Sequence, residues 1–373
     1  RAGMSDSADE EKMTDVDAVE KLLELKPDSW VSVCDGGKTT VWTYDEELGL
    51  WTCRKATFNK LLMSERENLD YYGTCVTRMK KVYELAESFN EVDARWTCKL
   101  DRLPAGVVPF MDGLYDSATQ TLRAFRPDDY LTVKFDFEAP KPNEMQSQQV
   151  QAAWQHIESV LGQILPEDAL RSEVLKEFAQ AFFEGRPEVG KFVSQVQGET
   201  HSGKTTWLMI LKTAFPAWCD MLDCSHLCMT GNRSSADAPQ PWKMQAMGKR
   251  ILSFEEPPAD AKGQPLPFDS PLIKALRGGG ATTGRNLYEK PTTFVWSGRI
   301  FFATNSLIEL KPPDPATIES LHVWKFPSCF VPAGDEREGG QFVYRRDENL
   351  VGLFETRPYR LALFGILRDY YDE

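Results

Sequence analysis

Hydrophobic and polar positions alternate or recur along this chain in a pattern that changes character twice. Near the amino end, apolar residues from Val19 to Leu25 recur at helical spacing. Thr40–Tyr44 and Leu50–Cys53 then read as strands joined by the polar turn Asp45-Glu46-Glu47-Leu48-Gly49. Gly106–Phe110 is a further apolar stretch, and Asp112-Gly113 marks a turn before Leu114-Tyr115-Asp116. Leu131–Phe137 alternates like another strand. Ala139-Pro140-Lys141-Pro142 breaks the pattern, and the period shifts to that of helices over 144–186. Val150, Trp154, Ile157 and Val160-Leu161 share one face, Ile164-Leu165-Pro166 interrupts, and Ala169–Phe183 predicts a second helix ending near Gly185-Arg186-Pro187. From Lys191 the pattern becomes buried strands alternating with helices. These are the strand-like Lys191–Val196, the helix-like Thr206–Lys212, and the strongly apolar stretches Ile251–Phe254, Ile300–Ala303 and His322–Phe326. Tyr359–Arg368 predicts a last amphipathic helix, and no internal repeat is visible.

This order predicts an α/β fold in which a largely parallel central sheet is flanked by helices, preceded by a smaller α+β and helical amino-terminal region. The expected divisions are an acidic, disordered tail over 1–20, an α+β domain over 21–143, a helical collar over 144–190, a sheet domain over 191–335 and a helical segment over 336–373. With 373 residues the chain is long enough for two or three domains. The formal net charge of −13 argues against a protein that coats duplex DNA through a broad basic face, so any contact with nucleic acid must be local. No apolar run approaches the ~20 residues of a membrane-spanning helix, and no secretory signal is visible at the amino end. The first residue is arginine, so a piece of a longer chain with upstream domains is expected. The eight cysteines show no paired framework, which fits free thiols in a reducing, intracellular compartment. Cys219, Cys224, His226 and Cys228 have metal-ligand chemistry, but their spacing is not a usual zinc pattern. A buried strand with Cys224, His226 and Cys228 on one face is the simpler expectation.

One segment carries distinctive chemistry. Gly198-Glu199-Thr200-His201-Ser202-Gly203-Lys204-Thr205-Thr206 fits G-x-x-x-x-G-K-[ST] between a predicted strand and a predicted helix. Backbone N–H groups of such a loop cradle phosphate oxygens, Lys204 reaches the terminal phosphates, and the Thr205 hydroxyl can hold Mg²⁺. Downstream, Lys249–Phe254 predicts a buried strand ending in Glu255 and Glu256. One carboxylate there would serve Mg²⁺ and one would orient the attacking water. Gly298–Thr304 predicts a strand ending at Asn305, an amide suited to positioning a water nucleophile beside a γ-phosphate. Between these strands, Leu272–Gly280 predicts a helix ending in three glycines, and a strand or hairpin bearing Arg285 and Lys290 follows. Both are candidates to grip a phosphate backbone.

As a set these segments resemble the superfamily 3 helicases, the AAA+-related ATPases found at the carboxyl end of the primase–helicases of poxviruses, other large DNA viruses, phages and plasmids. Gly248–Pro257 resembles that family's acidic strand, Lys274–Gly280 with Arg285–Tyr288 its characteristic middle region, and Phe301–Asn305 its sensor motif. Phe110–Asp116 with Phe125–Tyr130 resembles the domain that precedes the ATPase. The resemblance spans roughly residues 40–370. It implies an ATP- and Mg²⁺-dependent DNA helicase in viral or mobile-element replication, working as a hexameric ring that moves 3′→5′ on single-stranded or forked DNA. It also implies self-association, and an upstream primase domain or other replication proteins as partners. Lys204, Glu255, Glu256 and Asn305 would then be catalytic, Thr205 and Glu255 would hold Mg²⁺, residues 198–206 would bind the nucleotide, and Arg285 and Lys290 would lie near the DNA.

The chain departs from the family at several points. Gly280 stands where an aspartate is usual, and His201 and Ser202 replace a frequent glycine and asparagine. Glu319 and Ser320 stand where paired arginines usually supply a trans-acting arginine finger, with Arg299 only a loose substitute. A finger of this kind is worth ~10³–10⁵ in rate. A catalytically weak, nucleotide-binding structural subunit is the alternative these departures favour.

Overall fold

The computed structural model describes residues 13–70, 75–185, 191–229 and 239–373; most of the expected acidic tail lies outside them. The chain forms two compact units, one running to Thr97 and including Arg126–Tyr130, the other comprising Cys98–Phe125 and Leu131–Glu373. Most of the segment 98–143, grouped by sequence pattern with the amino-terminal region, therefore packs with the second unit.

The first unit opens with α1 (Asp15–Leu25). It begins four residues ahead of the apolar periodicity because Thr14 and Asp17 form a reciprocal capping box, which satisfies two orphan donors at the helix start. β1 (Trp30–Asp35), β2 (Lys38–Asp45) and β3 (Leu50–Thr52) form an antiparallel meander. After α2 (Lys55–Ser64) and α3 (Val76–Ala86), β4 (Glu91–Asp93) joins the other edge parallel to β1. The helices and the sheet close on Trp30, Phe58, Leu62 and Val82.

The second unit begins with an antiparallel meander, β5 (Val107–Phe110), β6 (Gly113–Asp116) and β7 (Thr121–Arg123). The predicted strand over Leu131–Phe137 does not form. The Phe135 N–H donates to the Pro109 carbonyl at 2.7 Å and the Met111 N–H to the Phe137 carbonyl at 2.9 Å, but Pro109 has no N–H to add between them, so these bonds do not extend into a regular ladder along this edge of β5. The segment instead delivers Phe135 and Phe137 to a cluster of rings with Phe110, Phe182, Phe215 and Trp218. The two predicted helices are present as α4 (Gln148–Ile164) and α5 (Asp168–Glu184).

The rest of the unit is organised by five strands: β8 (Val193–Gln197), β9 (Cys219–Leu222), β10 (Ile251–Phe254), β14 (Arg299–Thr304) and β16 (Leu321–Lys325). Their order is β16-β8-β14-β10-β9, and every neighbouring pair is parallel. All residues of β10 and β14 are buried, as expected of parallel strands covered on both faces. Around the sheet lie α6 (Lys204–Ala214), α7 (Pro241–Ala246), the short pair β11 (Phe268–Asp269) and β15 (Leu310–Lys311), α8 (Ser270–Arg277) and α9 (Pro315–Glu319). β12 (Ala281–Gly284) and β13 (Thr292–Val295) make an antiparallel hairpin. β17 (Cys329–Val331) pairs with β18 (Val343–Arg345), and α10 (Leu350–Leu353) and α11 (Arg357–Asp372) complete the chain. The carboxyl-terminal segment is thus not wholly helical: the parallel pair completed by β18 precedes its helices.

At the amino end of the sheet two buried arginines have partners within the fold. Arg250 lies 3.5 Å above the Trp218 ring and donates to the carbonyls of Phe182 and Phe183, and Arg299 is paired with Glu184 at 3.0 Å. Burial lowers the Arg299 pKa from its ordinary value, opposed by Glu184. α5 is held to the sheet by Phe178, stacked on Phe301 with centroids 4.2 Å apart. α11 packs on α4 closely enough that a Cβ on Gly365 would sit 2.4 Å from the Trp154 ring. Among the described residues no helix is long and apolar enough to cross a membrane.

Phe182 touches Phe135, Phe215, Trp218 and Phe364 and is fully buried. Phe182→Ala should lower the stability of the second unit by ~3–5 kcal/mol. The exposed Leu122→Ala should change it by no more than about 0.5 kcal/mol. Urea-unfolding midpoints of the two variants provide the comparison.

Candidate functional site

The carboxyl ends of β8, β14 and β10 are neighbours in the sheet, and each is followed by a polar turn. After β8 comes the glycine-rich loop, after β14 comes Asn305, and after β10 come Glu255 and Glu256. Gln195, fully buried in β8, locks the first two together. Its side-chain amide donates to Thr304 Oγ1 at 2.6 Å and to the Ser306 carbonyl at 2.7 Å, which fixes the turn that presents Asn305.

The loop folds back over the start of α6. Gly203 caps that helix with φ +87°, a left-handed conformation that suits glycine. The first-turn N–H groups of α6 have no intrahelical acceptors and carry the positive end of the helix dipole into the loop. The His201 carbonyl accepts from the Phe330 N–H at 2.8 Å, tying the loop to β17. His201 Nδ1 lies 2.8 Å from Arg346 Nη2. Because a guanidinium only donates, this nitrogen is the acceptor and the imidazole proton sits on Nε2.

Lys204 is the centre of the arrangement. Its Nζ contacts the carbonyls of Gly198 (2.5 Å) and Glu199 (2.9 Å), Ser202 Oγ (3.1 Å) and Asn305 Oδ1 (3.1 Å). Burial pushes its pKa below the ordinary lysine value, opposed by the charge of Glu256. The Asn305 N–H donates to Glu256 Oε1. Lysine, asparagine and glutamate thus form one connected chain from three different strand ends.

These groups line a cleft of about 820 Å³ together with Thr200–Thr206 and Glu255. Gly198 and Glu199 stand behind it and contribute through the carbonyls that hold Lys204. Thr205 and Glu255 face the same space, so a hydroxyl and a carboxylate are available to a hard divalent cation. The donor set suits a magnesium–triphosphate: helix-start N–H groups and a buried ammonium for the phosphates, oxygen ligands for the metal.

Arg285 and Lys290 are not in the cleft. They flank the tip of the β12–β13 hairpin, where Leu287 is 60% and Tyr288 95% exposed. Arg299, considered above as a substitute finger, is buried at the amino end of β14. Glu319 and Ser320 precede the amino end of β16. The cysteine-rich segment is a 3₁₀ turn, Cys224–Leu227, not a strand, because Asp223 caps it by accepting from the Ser225 N–H at 2.8 Å. His226 stacks on Trp242, and among the described residues no group of three metal-ligating side chains gathers.

Several lining residues have no motif in the sequence. Arg345 and Arg346 come from the end of β18 and the turn after it, Phe330 from β17, and His156, Ser159, Val160 and Gln163 from α4. The spacing of the α4 residues marks a common helix face but not the surface it meets.

No protein-family model matches the chain, and no curated protein matches it. Solved structures of the C-terminal region of NrS-1 are similar to it. An A form apo structure shares 12% identity, with a TM-score of 0.37, 65% of this chain covered and 53% of that one. Another apo structure shares 9% identity, with a TM-score of 0.46, 96% of this chain covered and 72% of that one. The chain spans about half the length of the first of these.

A Cβ on Gly203 would require the unfavourable left-handed conformation and would lie 3.0 Å from the Phe330 ring. Gly203→Ala should therefore cost ~1–2 kcal/mol of stability, measured as a lower urea midpoint with an unchanged denaturant slope.

Proposed function

We propose that the chain is a magnesium-dependent nucleoside triphosphatase of the superfamily 3 helicase type, hydrolysing ATP to move along single-stranded DNA. The observation that supports this reading is the convergence of Lys204, Asn305, Glu256 and Glu255 on one cleft at adjacent strand ends. The strand order places the loop of β8 between the ends of β14 and β16, the kind of crevice where open α/β sheets bind ligands.

In this reading the loop N–H groups and Lys204 bind the phosphate chain and hold its terminal group against Asn305. Thr205 and Glu255 hold Mg²⁺, which neutralises charge on the phosphate oxygens. Glu256, held by the Asn305 N–H, orients the attacking water and accepts its proton. The amide of Asn305 is then shared between the lysine and the water that Glu256 directs. The β12–β13 hairpin presents Arg285 and Lys290 to a phosphate backbone and Tyr288 to a base, a pairing of charge and stacking that serves single strands. The hexameric ring, the 3′→5′ direction and the replicative setting follow from the motif resemblance.

The alternative is a catalytically weak, nucleotide-binding subunit, favoured by the acidic and neutral residues at 319–320 and by the burial of Arg299. ATP turnover measured against subunit concentration separates the two. A steep rise on assembly supports a shared working site, and a flat, near-zero rate supports the weak subunit.

With Mg²⁺ present, the protein should hydrolyse ATP and displace a strand from a forked duplex. Lys204→Ala should lose nucleotide binding. Glu256→Gln should keep binding while turnover falls by ~10²–10⁴. Binding of ATP by the wild-type protein with no unwinding would overturn the helicase reading. Replacing Arg285 and Lys290 together with alanine should weaken single-strand binding and flatten its salt dependence by up to about two phosphate contacts. DNA-free ATP turnover should be unchanged.

A further inference from the structure

Besides Lys204, two strong cations line the cleft, Arg345 and Arg346. Arg345 ends β18 and is exposed, and Arg346 follows it, half-buried. The two are not equivalent, because Arg346 is fastened beside the glycine-rich loop by both backbone and side chain. Its backbone N–H donates to the Val331 carbonyl at 2.7 Å, and the preceding residue of that strand, Phe330, donates its N–H to the His201 carbonyl at 2.8 Å. Its guanidinium donates from Nη2 to His201 Nδ1 at 2.8 Å. His201 lies inside the loop with φ +67°, two residues before the Gly203 cap of α6. The guanidinium therefore stands one hydrogen bond from a residue of the loop that suits a phosphate.

Its closest partner leaves the arginine's charge uncompensated, since an imidazole that accepts at Nδ1 is neutral. Glu348 lies 3.7 Å from Nη1, but its side chain is 77% exposed, and a pair so open to solvent is worth little. Asp347, also at the cleft, accepts from the Asn349 N–H at 2.9 Å within its own turn. A phosphate offers what the imidazole does not, negative charge and paired oxygens that match the guanidinium fork. We propose that Arg346 is the arginine that meets the terminal phosphate of a nucleotide bound by its own chain, with His201 as the positioning residue that holds it at the loop. The inference rests on the reading of the loop as a phosphate site. It gives the cleft a guanidinium in cis, where Glu319 and Ser320 supply none and Arg299 is buried.

The test measures binding of ADP and of the non-hydrolysable β,γ-imido analogue of ATP to the full chain by titration calorimetry with Mg²⁺ present. Arg346→Ala should lower affinity for the analogue about tenfold or more and leave ADP affinity unchanged. ATP turnover should fall by ~10² with little change in KM for that variant. Arg345→Ala should change the ratio of the two affinities less than twofold. His201→Gly removes the imidazole while suiting the left-handed backbone, and should lower analogue affinity by less than Arg346→Ala does, again sparing ADP. Arg346→Lys keeps stem and charge but not the fork, so it should fall between wild type and Arg346→Ala, and it carries the test if the alanine variant melts early. In mixtures of Arg346→Ala with Lys204→Ala subunits, turnover should stay low. Restored turnover there would place the arginine across an interface and overturn the assignment. An unchanged affinity ratio in folded Arg346→Ala, or a larger loss in Arg345→Ala, would also overturn it and leave the loop reading standing. If the wild-type protein binds neither nucleotide, the loop reading fails and the role of Arg346 with it.

Discussion

Parallel pairing of β8, β14 and β10 in one register is the constraint from which the site follows. Gln197, the last residue of β8, lies opposite Thr304, and Phe254, the last of β10, lies opposite Phe302. The next residues along β10 thus come level with the end of β14, where the Asn305 N–H meets Glu256 and the Asn305 side chain meets Lys204. A one-residue slip of any of these strands would turn its side chains to the opposite face of the sheet and disperse the cluster. The uniformly buried faces of β10 and β14, and the clamp of Gln195 on the turn after β14, oppose such a slip.

Charge is distributed unequally between the two ends of this sheet. At the amino end, Arg250 meets carbonyls and an indole face inside the fold, and Arg299 is paired with Glu184. At the carboxyl end, Lys204 is buried among neutral oxygens, with Glu256 the carboxylate that acts on its titration. A desolvated cation with incomplete neutralisation favours an incoming anion more strongly than the same cation in water, because the medium around it screens less. The positive end of α6 acts in the same direction.

Much of the architecture was legible from the chain. Buried strands alternating with helices after Lys191 could only form a covered, largely parallel sheet, and the polar residues following Phe254 and Thr304 marked strand ends. The paired strands around Asp45–Gly49 and the turn at Asp112-Gly113 were equally plain. Other features depended on information that periodicity does not hold. Leu131–Phe137 alternates like a strand, yet its would-be partner contains Pro109. The Cys224–Cys228 segment alternates too, yet Asp223 caps a turn there. Half of the cleft is formed by α4 and by the region from Phe330 to Val351, distant in sequence from the glycine-rich loop. Their residues look like an ordinary amphipathic helix and an ordinary polar turn until tertiary packing brings them together. The hairpin with Arg285 and Lys290 could be foreseen, but its exposed Tyr288 could not be distinguished from a buried aromatic.

The fit of α11 against α4 has a consequence for how the molecule can be divided. The Gly365–Trp154 approach and the Tyr359–His156 bond place the last helix as a buttress behind the wall of the cleft, although it lies some 150 residues beyond the glycine-rich loop. A fragment cut to the five-stranded sheet alone would keep Lys204, Thr205, Glu255, Glu256 and Asn305 and lose the backing of one side of the chamber. The packed unit that shapes the cleft is therefore larger than its signature segments.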